Sequence, residues 1–464
     1  MDKETFRRLG YSFIDWIAEY QENVSNYPVA SQITPGDIRS RLPKEPPSAR
    51  EPMEAIFEDF QKIILPGITH WQHPNWFAYF PANNSPPSVL GELLTAAIGA
   101  QCMIWKTSPA AAELEEVVLD WLKQMLGLPK SMEGVIQDTA STATLCALIT
   151  AREKATNFKS NEKGFEAPLT VYTSEETHSS IEKGVKIAGY GRENLRLIPT
   201  DNDFALIPEK LEEAIRRDKE QGMKPACVVA TLGTTSSTAI DPLAPIAEIC
   251  DREGVWLHVD AAFAGAACIL PEMQWMLEGA DKIDSFVFNP HKWLLTNFDC
   301  SAYFVSDAEA LTRTFEIHPE YLKTGIDATV KNFRDWGIPL GRRFRALKLW
   351  FVLRYYGVQG LQSMLREHIR LARMFKTWVE SDDRFELMAP VPLSLVCFRL
   401  NDGSSEERLD EMNRSLLERI NEGGKIFLTH TTLRDRYALR MAIGQRSTGE
   451  RHVREAWEWI TSLI

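Results

Sequence analysis

Hydrophobic and polar residues follow three different patterns along the 464-residue chain. Residues 1–85 carry apolar positions at helical spacing, interrupted by Pro-rich connectors such as 41–47, and predict an N-terminal helical arm. Residues 86–370 alternate short apolar or β-branched runs with helical periodicity, which is typical of βαβ units around a mostly parallel sheet. Residues 371–464 mix strand and helix patterns and predict a small α+β domain. The fold class predicted is therefore α/β with smaller appended parts.

The strand predictions rest on short apolar runs that polar residues bound on both sides. A long helical pattern covers about residues 342–380, after which the small C-terminal domain begins. The clearest strand predictions are Leu169–Tyr172, Cys227–Leu232, Val255–Val259, Ser285–Phe288, Leu393–Leu400 and Tyr437–Ala442.

Charge and cysteine usage narrow the class of protein. The formal net charge of −12 disfavours binding to nucleic acid or to an anionic membrane, since both require clustered Lys and Arg. No apolar run reaches the roughly 18 residues of a membrane span, and Met1–Thr5 opens an amphipathic pattern rather than a secretory signal. The seven cysteines, which lack CxxC spacing, favour reduced thiols over disulfides. We therefore expect a cytoplasmic protein.

Polar residues follow three of the predicted strands at the points where the strands end. Asp260 follows one strand, Lys292 closely follows another, and Thr235 lies shortly after a third. Because open parallel sheets bind ligands at the carboxyl ends of their strands, we expect these side chains to converge. A carboxylate, an amine and a hydroxyl would then share one site.

Pyridoxal 5′-phosphate (PLP) is the cofactor whose requirements match these residue types. Its aldehyde requires an amine, here Lys292, and its pyridine nitrogen requires an acid partner, here Asp260. Segment 137–144 is rich in hydroxyls and leads into an apolar helix, whose N-terminus attracts a phosphate. Taken singly, a Ser/Thr run is more often a helix cap and a lone Asp a turn residue. The combination at βα spacing favours the cofactor site.

Two further groups of residues suit such a site. His178 is a flat partner for a pyridine ring, although a loop histidine with a structural role is the alternative. An aromatic cluster near the end of the N-terminal segment suits the wall of an aromatic substrate pocket, with plain core packing as the alternative. Its members are Trp71, Trp76, Phe77, Tyr79 and Phe80.

His70 and His73 have the i, i+3 spacing of one helical face. Metal sites use such spacing, but the neighbouring Trp71 and Pro74 favour packing over zinc binding. We therefore expect no metal site.

At this point the chain resembles the group II PLP-dependent amino-acid decarboxylases. This group includes aromatic-L-amino-acid, tyrosine and tryptophan decarboxylases and the related aromatic aldehyde synthases. The resemblance covers nearly the whole length, and its most specific pieces are His258–Gly265, Asn289–Leu294, His73–Pro81 and Ile338–Arg345.

The resemblance implies a type I PLP-dependent transferase fold and a homodimer with the active site at the interface, to which segment 1–85 contributes contacts. Lys292 would form the Schiff base, Asp260 would pair with the pyridine nitrogen, His178 would stack on the ring and Ala262 would pack against it. The rest of the cofactor pocket would comprise Thr139, Ala140, Ser141, Thr235, Asn289 and His291. The substrate side would comprise Trp71, Tyr79, Phe80, Pro81 and Gly341. The implied reaction converts tryptophan, tyrosine, DOPA or phenylalanine to its amine and CO₂.

Two positions depart from the family pattern. Ala82 stands where members often carry Thr, so one hydrogen bond on the substrate side is missing. Phe333 stands where the decarboxylases usually place the tyrosine of a mobile catalytic loop, and phenylalanine has no proton to donate to the substrate carbanion. Members with Phe here resemble aldehyde synthases, which release aldehyde, ammonia and hydrogen peroxide with the CO₂. A slower decarboxylase in which another group donates the proton is the alternative, and so is a deliberately introduced Phe333.

Residues 323–335, with Gly325 among them, predict a loop that closes over the site. Two rival functions remain from other classes. A catalytically silent ligand-binding relative has no reason to keep Asp260 and Lys292 together. A nicotinamide-dependent dehydrogenase requires a glycine fingerprint that the sequence lacks.

Overall fold

The computed structural model describes residues 1–165, 168–317 and 329–464. The chain folds into two compact units. The smaller unit comprises Met1–Pro81, Thr377–Glu386 and Phe398–Ile464, and the larger unit comprises Ala82–Lys376 and Leu387–Cys397. The division into segments 1–85, 86–370 and 371–464 stays a prediction.

Three α-helices lie in the first 60 residues of the chain. They are α1 (Lys3–Asn23), α2 (Asp37–Arg41) and α3 (Met53–Asp59). The helix α1 begins where Asp2 Oδ1 accepts a hydrogen bond from the Thr5 N–H at 2.9 Å. The helical arm that the apolar spacing predicts in this part of the chain is therefore present.

The larger unit alternates helices with strands. Its helices are α4 (Pro86–Ile98), α5 (Pro109–Leu126), α6 (Ala140–Ala155), α7 (Ser160–Lys163), α8 (Ser180–Ile187), α9 (Pro208–Glu220), α10 (Leu243–Glu253), α11 (Pro290–Trp293), α12 (Ala308–Phe315) and α13 (Arg345–Glu380), whose last residues belong to the smaller unit. Its strands are β1 (Glu133–Gln137), β2 (Leu169–Ser174), β3 (Leu195–Ile198), β4 (Lys224–Thr231), β5 (Trp256–Asp260), β6 (Ser285–Phe288) and β7 (Ser301–Val305). The long helix α13 is interrupted at Gly357, which has a φ of 62°.

In the described part of the chain these strands form a seven-stranded sheet in the order β1-β7-β6-β5-β4-β2-β3. The neighbours from β6 to β3 pair in parallel, and β7 runs antiparallel to both β6 and β1. Strands β2, β5 and β6 are buried along their whole length. Burial on both faces explains why these strands are continuous apolar runs in the sequence.

The remaining elements are β8 (Phe385–Leu387), β9 (Leu395–Leu400), α14 (Glu406–Glu422), β10 (Thr429–Leu433), β11 (Arg436–Ala442) and α15 (Glu450–Ser462). Their four strands form a second sheet in the order β10-β11-β9-β8. Strands β10 and β11 form a hairpin whose turn residues, Arg434 and Asp435, have φ angles of 50° and 61°.

The α/β fold class with a mostly parallel sheet is confirmed. Each of the six predicted strands overlaps a strand of the structure, with ends that differ by three residues at most, and Ser285–Phe288 matches β6 in full. The sequence patterns missed β1, β3, β7, β8 and β10. No helix among the described residues combines the length and the apolar character that crossing a membrane requires.

Candidate active site

The carboxyl ends of β4, β5 and β6 lie at one edge of the large sheet. The ladder pairs Asp260 with Thr231 on one side and with Val287 on the other, so the three strands end at one level. Beyond the strands, the Asn289 N–H donates to the Ala262 carbonyl at 3.0 Å, which continues the alignment into the loops. The loops after β5 and β6 therefore emerge side by side, as the sequence predicts.

Asp260 ends β5 and is buried. Its Oδ1 accepts a hydrogen bond from the Ala262 N–H at 3.0 Å. Its negative charge acts on both Lys292 and His178. A buried carboxylate is what a protonated pyridine nitrogen requires as a partner.

Lys292 lies in the short helix α11, and its backbone is fixed on both sides. Its N–H donates to the Asn289 carbonyl at 2.9 Å, and its carbonyl accepts from Asn83 Nδ2 at 2.9 Å. Burial lowers the pKa of the Lys292 ammonium, and the charge of Asp260 opposes that shift. A lowered pKa increases the fraction of uncharged amine, which is the form that attacks an aldehyde.

His178 lies between β2 and α8. Its Nδ1 accepts from the Ser180 N–H at 3.2 Å and is 2.8 Å from Ser180 Oγ, so the proton of the neutral ring is on Nε2. Burial lowers the pKa of His178, Lys292 lowers it further, and Asp260 opposes both. Because both charges act on this ring, the three side chains share one neighbourhood.

The N-terminus of α6 provides the predicted phosphate-binding segment. Thr139 caps this helix, and its Oγ1 accepts from the Thr142 N–H at 3.4 Å. Ala140 is buried and Ser141 is exposed in the first turn. Strand β1 leads directly into this cap, and β1 runs parallel to β6 because both are antiparallel to β7. The helix start therefore lies at the same sheet edge as Asp260.

Asn289 and His291 are buried and hold the loop that carries the lysine. Asn289 Oδ1 accepts from Ser301 Oγ at 2.7 Å, and His291 Nδ1 accepts from the Cys300 N–H at 3.0 Å. Burial lowers the pKa of His291 to about 3. The ring is therefore neutral near pH 7, and both residues fix the loop through hydrogen bonds rather than charge.

The loop after β4 comes very close to the loop after β5. Gly233 has a φ of 81°, and a Cβ at this position would lie 2.7 Å from the Ala264 Cβ, so glycine is required. Thr235 follows and is exposed, while Ala262 is partly buried and packs against the core of the larger unit. Both residues lie at the sheet edge where the prediction places them.

Four of the predicted substrate-side residues belong to the smaller unit. The rings of Trp71 and Tyr79 stack with centroids 5.6 Å apart, and Tyr79 is exposed with a φ of 54°. Phe80 is buried beneath the Arg440 guanidinium at 5.5 Å, and Pro81 follows it. The aromatic cluster is therefore partly core and partly an accessible surface.

Ala82 and Gly341 belong to the larger unit. Gly341 is exposed, and a Cβ at this position would lie 3.3 Å from Gln101 Nε2. Gln101 is itself held in place, because its Oε1 accepts from the Arg342 N–H at 2.7 Å. A side chain at position 341 would therefore reduce the space beside this amide.

Phe333 is buried in the core of the larger unit, with 2% of its surface exposed. Its ring centroid lies 6.0 Å from that of Trp336, and the Arg342 guanidinium carbon lies 4.6 Å from it. Residues 318–328, which include Gly325 and the start of the predicted closing loop, lie outside the described residues. The roles of Phe333 and of that loop stay predictions.

His70 and His73, which the sequence weighed as metal ligands, are held by polar contacts within the smaller unit. His70 Nδ1 lies 2.8 Å from the Tyr20 hydroxyl, and His73 Nδ1 accepts from the Asn75 N–H at 2.9 Å. Burial lowers the pKa of His73 to about 4. These contacts give both rings a structural role.

The sequence analysis gave no individual role to two buried residues, Asn83 and His258. Asn83 is fully buried and fixes the Lys292 carbonyl from 209 positions earlier in the chain. His258 lies two positions before Asp260 on the same strand and is fully buried. The sequence does hold a signal for His258. Residues i and i+2 of a strand share one face, so His258 is predicted on the same face of the strand as Asp260. Asn83 gave only a weak signal, as part of an Asn-Asn pair after the aromatic cluster.

Comparison with known proteins agrees with this geometry. A profile described as the pyridoxal-dependent decarboxylase conserved domain matches residues 35–401. Phenylacetaldehyde synthase from Arabidopsis thaliana is 46% identical in an alignment 471 residues long. The alignment covers 99% of this chain and 96% of that protein. Tryptophan decarboxylase 2 from Oryza sativa subsp. japonica is 45% identical in an alignment 469 residues long. The alignment covers 99% of this chain and 94% of that protein.

Among solved structures, the crystal structure of Oryza sativa TDC with PLP and tryptamine superposes with a TM-score of 0.97. It is 40% identical, and the match covers 100% of this chain and 98% of that one. The fold expected from the resemblance is confirmed, and so is the cofactor.

Proposed function

The chain belongs to the pyridoxal-dependent decarboxylase family, and we propose that it removes the α-carboxyl group of aromatic L-amino acids. The observation that carries this proposal is that Asp260 ends β5, Lys292 follows β6 and His178 follows β2 at one edge of the parallel sheet, with Asp260 acting on both Lys292 and His178. A silent ligand-binding relative would not require an amine with a lowered pKa beside a buried carboxylate. The relatives named above, a tryptophan decarboxylase and a phenylacetaldehyde synthase, suggest the aromatic class of substrate.

The donor set fits PLP group by group. When bound, PLP supplies an aldehyde that condenses with amines and a ring that accepts the electron pair released as CO₂ leaves. Lys292 would provide the amine, and the Asp260 carboxylate would pair with the pyridine nitrogen and keep it protonated. His178 would lie against the ring and exclude water from that face. The first turn of α6 would offer its N–H groups to the phosphate, with Thr139 and Ser141 adding hydroxyls.

Each compact unit, considered by itself, presents groups that suit an aromatic side chain. Trp71 and Tyr79 present stacked, partly exposed rings, which suit a flat aromatic side chain. Gly341 leaves space beside Gln101, which favours a larger ring such as indole. With Ala82 in place of threonine, the chain offers no hydroxyl at that position.

The fate of the substrate Cα carbanion depends on the proton donor available to it. Phe333 has no proton to donate to this carbon. We therefore propose a second possible product in addition to the amine. In that outcome the amino acid, O₂ and water give the aldehyde, ammonia, CO₂ and hydrogen peroxide, with O₂ as the oxidant. The amine remains our first choice, because a bound water or another side chain would replace the tyrosine hydroxyl.

A product assay under air tests this proposal. The enzyme loaded with PLP receives L-tryptophan, L-tyrosine, L-phenylalanine or L-DOPA, and amine, aldehyde and peroxide are quantified together. Amine without peroxide supports simple decarboxylation. Aldehyde with matching peroxide, reverting to amine in Phe333→Tyr, supports the oxidative outcome and assigns it to one missing hydroxyl. No CO₂ from any of the four would contradict both.

A homodimer is the assembly that we propose. The helix α4 exposes four apolar side chains at i, i+3, i+4 and i+8 spacing, and a stripe of this kind is typical of a protein interface. They are Leu90, Leu93, Leu94 and Ile98. Light scattering after size-exclusion chromatography should give twice the chain mass, and Leu94→Glu should shift it toward the monomer. A monomeric wild-type enzyme with full activity would contradict the dimer.

We also propose the cytoplasm as the compartment, since all seven cysteines are buried thiols without disulfides.

A further inference from the structure

His258 connects the three elements that carry the cofactor-binding groups. Its Nε2 lies 3.0 Å from Thr144 Oγ1 on α6, and its Nδ1 lies 2.9 Å from Ser285 Oγ on β6. The histidine itself is on β5, two residues before Asp260. One imidazole thus joins the strand of the carboxylate, the helix of the phosphate site and the strand that leads to Lys292.

The environment keeps this ring neutral and fully hydrogen-bonded. All three side chains are completely buried, and burial lowers the pKa of His258 to about 4. A neutral imidazole has one N–H and one bare nitrogen, so one hydroxyl accepts and the other donates. Ser285 Oγ also accepts from Trp256 Nε1 at 2.9 Å, which fixes this hydroxyl beside the ring. Both ring nitrogens therefore have a hydroxyl partner.

The position of these bonds relates them to the cofactor. Thr144 is in the second turn of α6, directly behind the residues that begin the helix. Ser285 faces His258 in the parallel β5–β6 pairing and opens the strand that ends just before Asn289. A shift of α6 along β5 would change the distance between the phosphate site and Asp260, which a rigid cofactor has to span.

We infer that His258 is a positioning residue that sets the spacing between the phosphate-binding end of α6 and Asp260. This inference rests on the proposed cofactor site and assigns it a further residue. The ring acts through its hydrogen bonds to Thr144 and Ser285. Removing either bond should therefore raise the Kd for PLP. The melting temperature of the apoprotein should change no more than when a comparable buried hydrogen bond is removed elsewhere on α6.

The test compares two threonines of the same helix. Thr144→Val removes the hydroxyl that His258 binds, and Thr144→Ser retains it. Thr150→Val is the matched control, because Thr150 is equally buried on α6 but donates only to the Cys146 carbonyl of its own helix at 2.8 Å. For each apoprotein, the Kd for PLP is measured by titration of visible absorbance, and the melting temperature is measured without PLP.

We expect Thr144→Val to raise the Kd roughly tenfold, because it leaves a buried ring nitrogen unpaired, while Thr144→Ser and Thr150→Val stay within about twofold of wild type. Equal Kd values for Thr144→Val and Thr150→Val would overturn the inference. If Thr144→Val does not fold, Ser285→Ala removes the hydroxyl that His258 Nδ1 contacts. Its Kd for PLP is then compared with that of Thr150→Val, and the same roughly tenfold rise is expected. A wild-type protein that takes up no PLP on Lys292 would instead overturn the proposed site itself.

Discussion

Asn83 Nδ2 donates a hydrogen bond to the backbone carbonyl of Lys292 at 2.9 Å. The asparagine is fully buried two residues before the cap of α4, so this bond anchors the loop of the lysine to the start of that helix. The position of the amine in the site therefore depends on a residue that has no chemical role of its own.

Asn83→Ala should raise the Kd for PLP by roughly five- to tenfold, since a lost hydrogen bond is worth about 1 kcal/mol and the lysine backbone becomes free to shift. Titration of the apoprotein with PLP measures this. Asn413→Ala is the control, because Asn413 is also fully buried and binds a backbone carbonyl, that of Leu400, at 2.8 Å in β9. It should lower the melting temperature and leave the Kd unchanged. An Asn83→Ala variant with wild-type PLP affinity would show that the bond is dispensable.

Asp260→Asn should retain the fold and the hydrogen bond from the Ala262 N–H but lower turnover roughly a thousandfold, because the neutral amide cannot keep the pyridine nitrogen protonated. Asp260→Ala should lose at least as much. Steady-state kinetics with saturating PLP measure both variants, and visible absorbance confirms that the cofactor is bound. Turnover within tenfold of wild type would mean that the pyridine nitrogen has another partner.

The contribution of two buried histidines to the free energy of unfolding of the apoprotein should fall as the pH drops below about 6.5. Asp241 and Asp284, whose pKa burial raises to about 6, contribute with the opposite sign. Burial lowers the pKa of His258 to about 4 and that of His291 to about 3. The unfolded chain binds protons on these rings near pH 6.5 while the folded chain does not, so acid favours unfolding. Each ring should contribute roughly 3 kcal/mol of lost stability by pH 4.

Urea unfolding between pH 7 and pH 4 measures this loss. His258→Gln removes the proton uptake of one ring, so between pH 7 and pH 4 the variant should lose roughly 3 kcal/mol less stability than wild type, whatever its stability at pH 7. If the free energy of unfolding of the variant depends on pH as that of wild type does, the pKa of His258 is not lowered in the folded protein.

Sequence patterns predicted the parts of the fold that burial dictates. Strands β2, β4, β5 and β6 are continuous apolar runs because helices or loops cover both faces, and such runs are visible without a structure. Strand β1 is short, and its apolar content, Val135 and Ile136, is too small to separate it from a loop. The edge strand β3 has only one fully buried residue, which explains why it was missed.

The candidate site followed from the sequence to the same extent. Asp260 ends the buried strand β5 and Lys292 follows the buried strand β6 by four residues, so topology alone brings them to one edge. Asn83 and Thr144 act through contacts between residues far apart in the chain, 209 and 114 positions, and no local pattern encodes such pairs.

The most direct measurement is the release of labelled CO₂ from L-tryptophan and L-tyrosine that carry carbon-13 in the carboxyl group. Wild-type enzyme with PLP should release one CO₂ for each amine or aldehyde formed, and borohydride should fix the cofactor on Lys292. Lys292→Ala should do neither, because it lacks the amine that binds the aldehyde. Wild-type enzyme that holds PLP on Lys292 yet releases no labelled CO₂, or a Lys292→Ala variant that still turns over, would contradict the account.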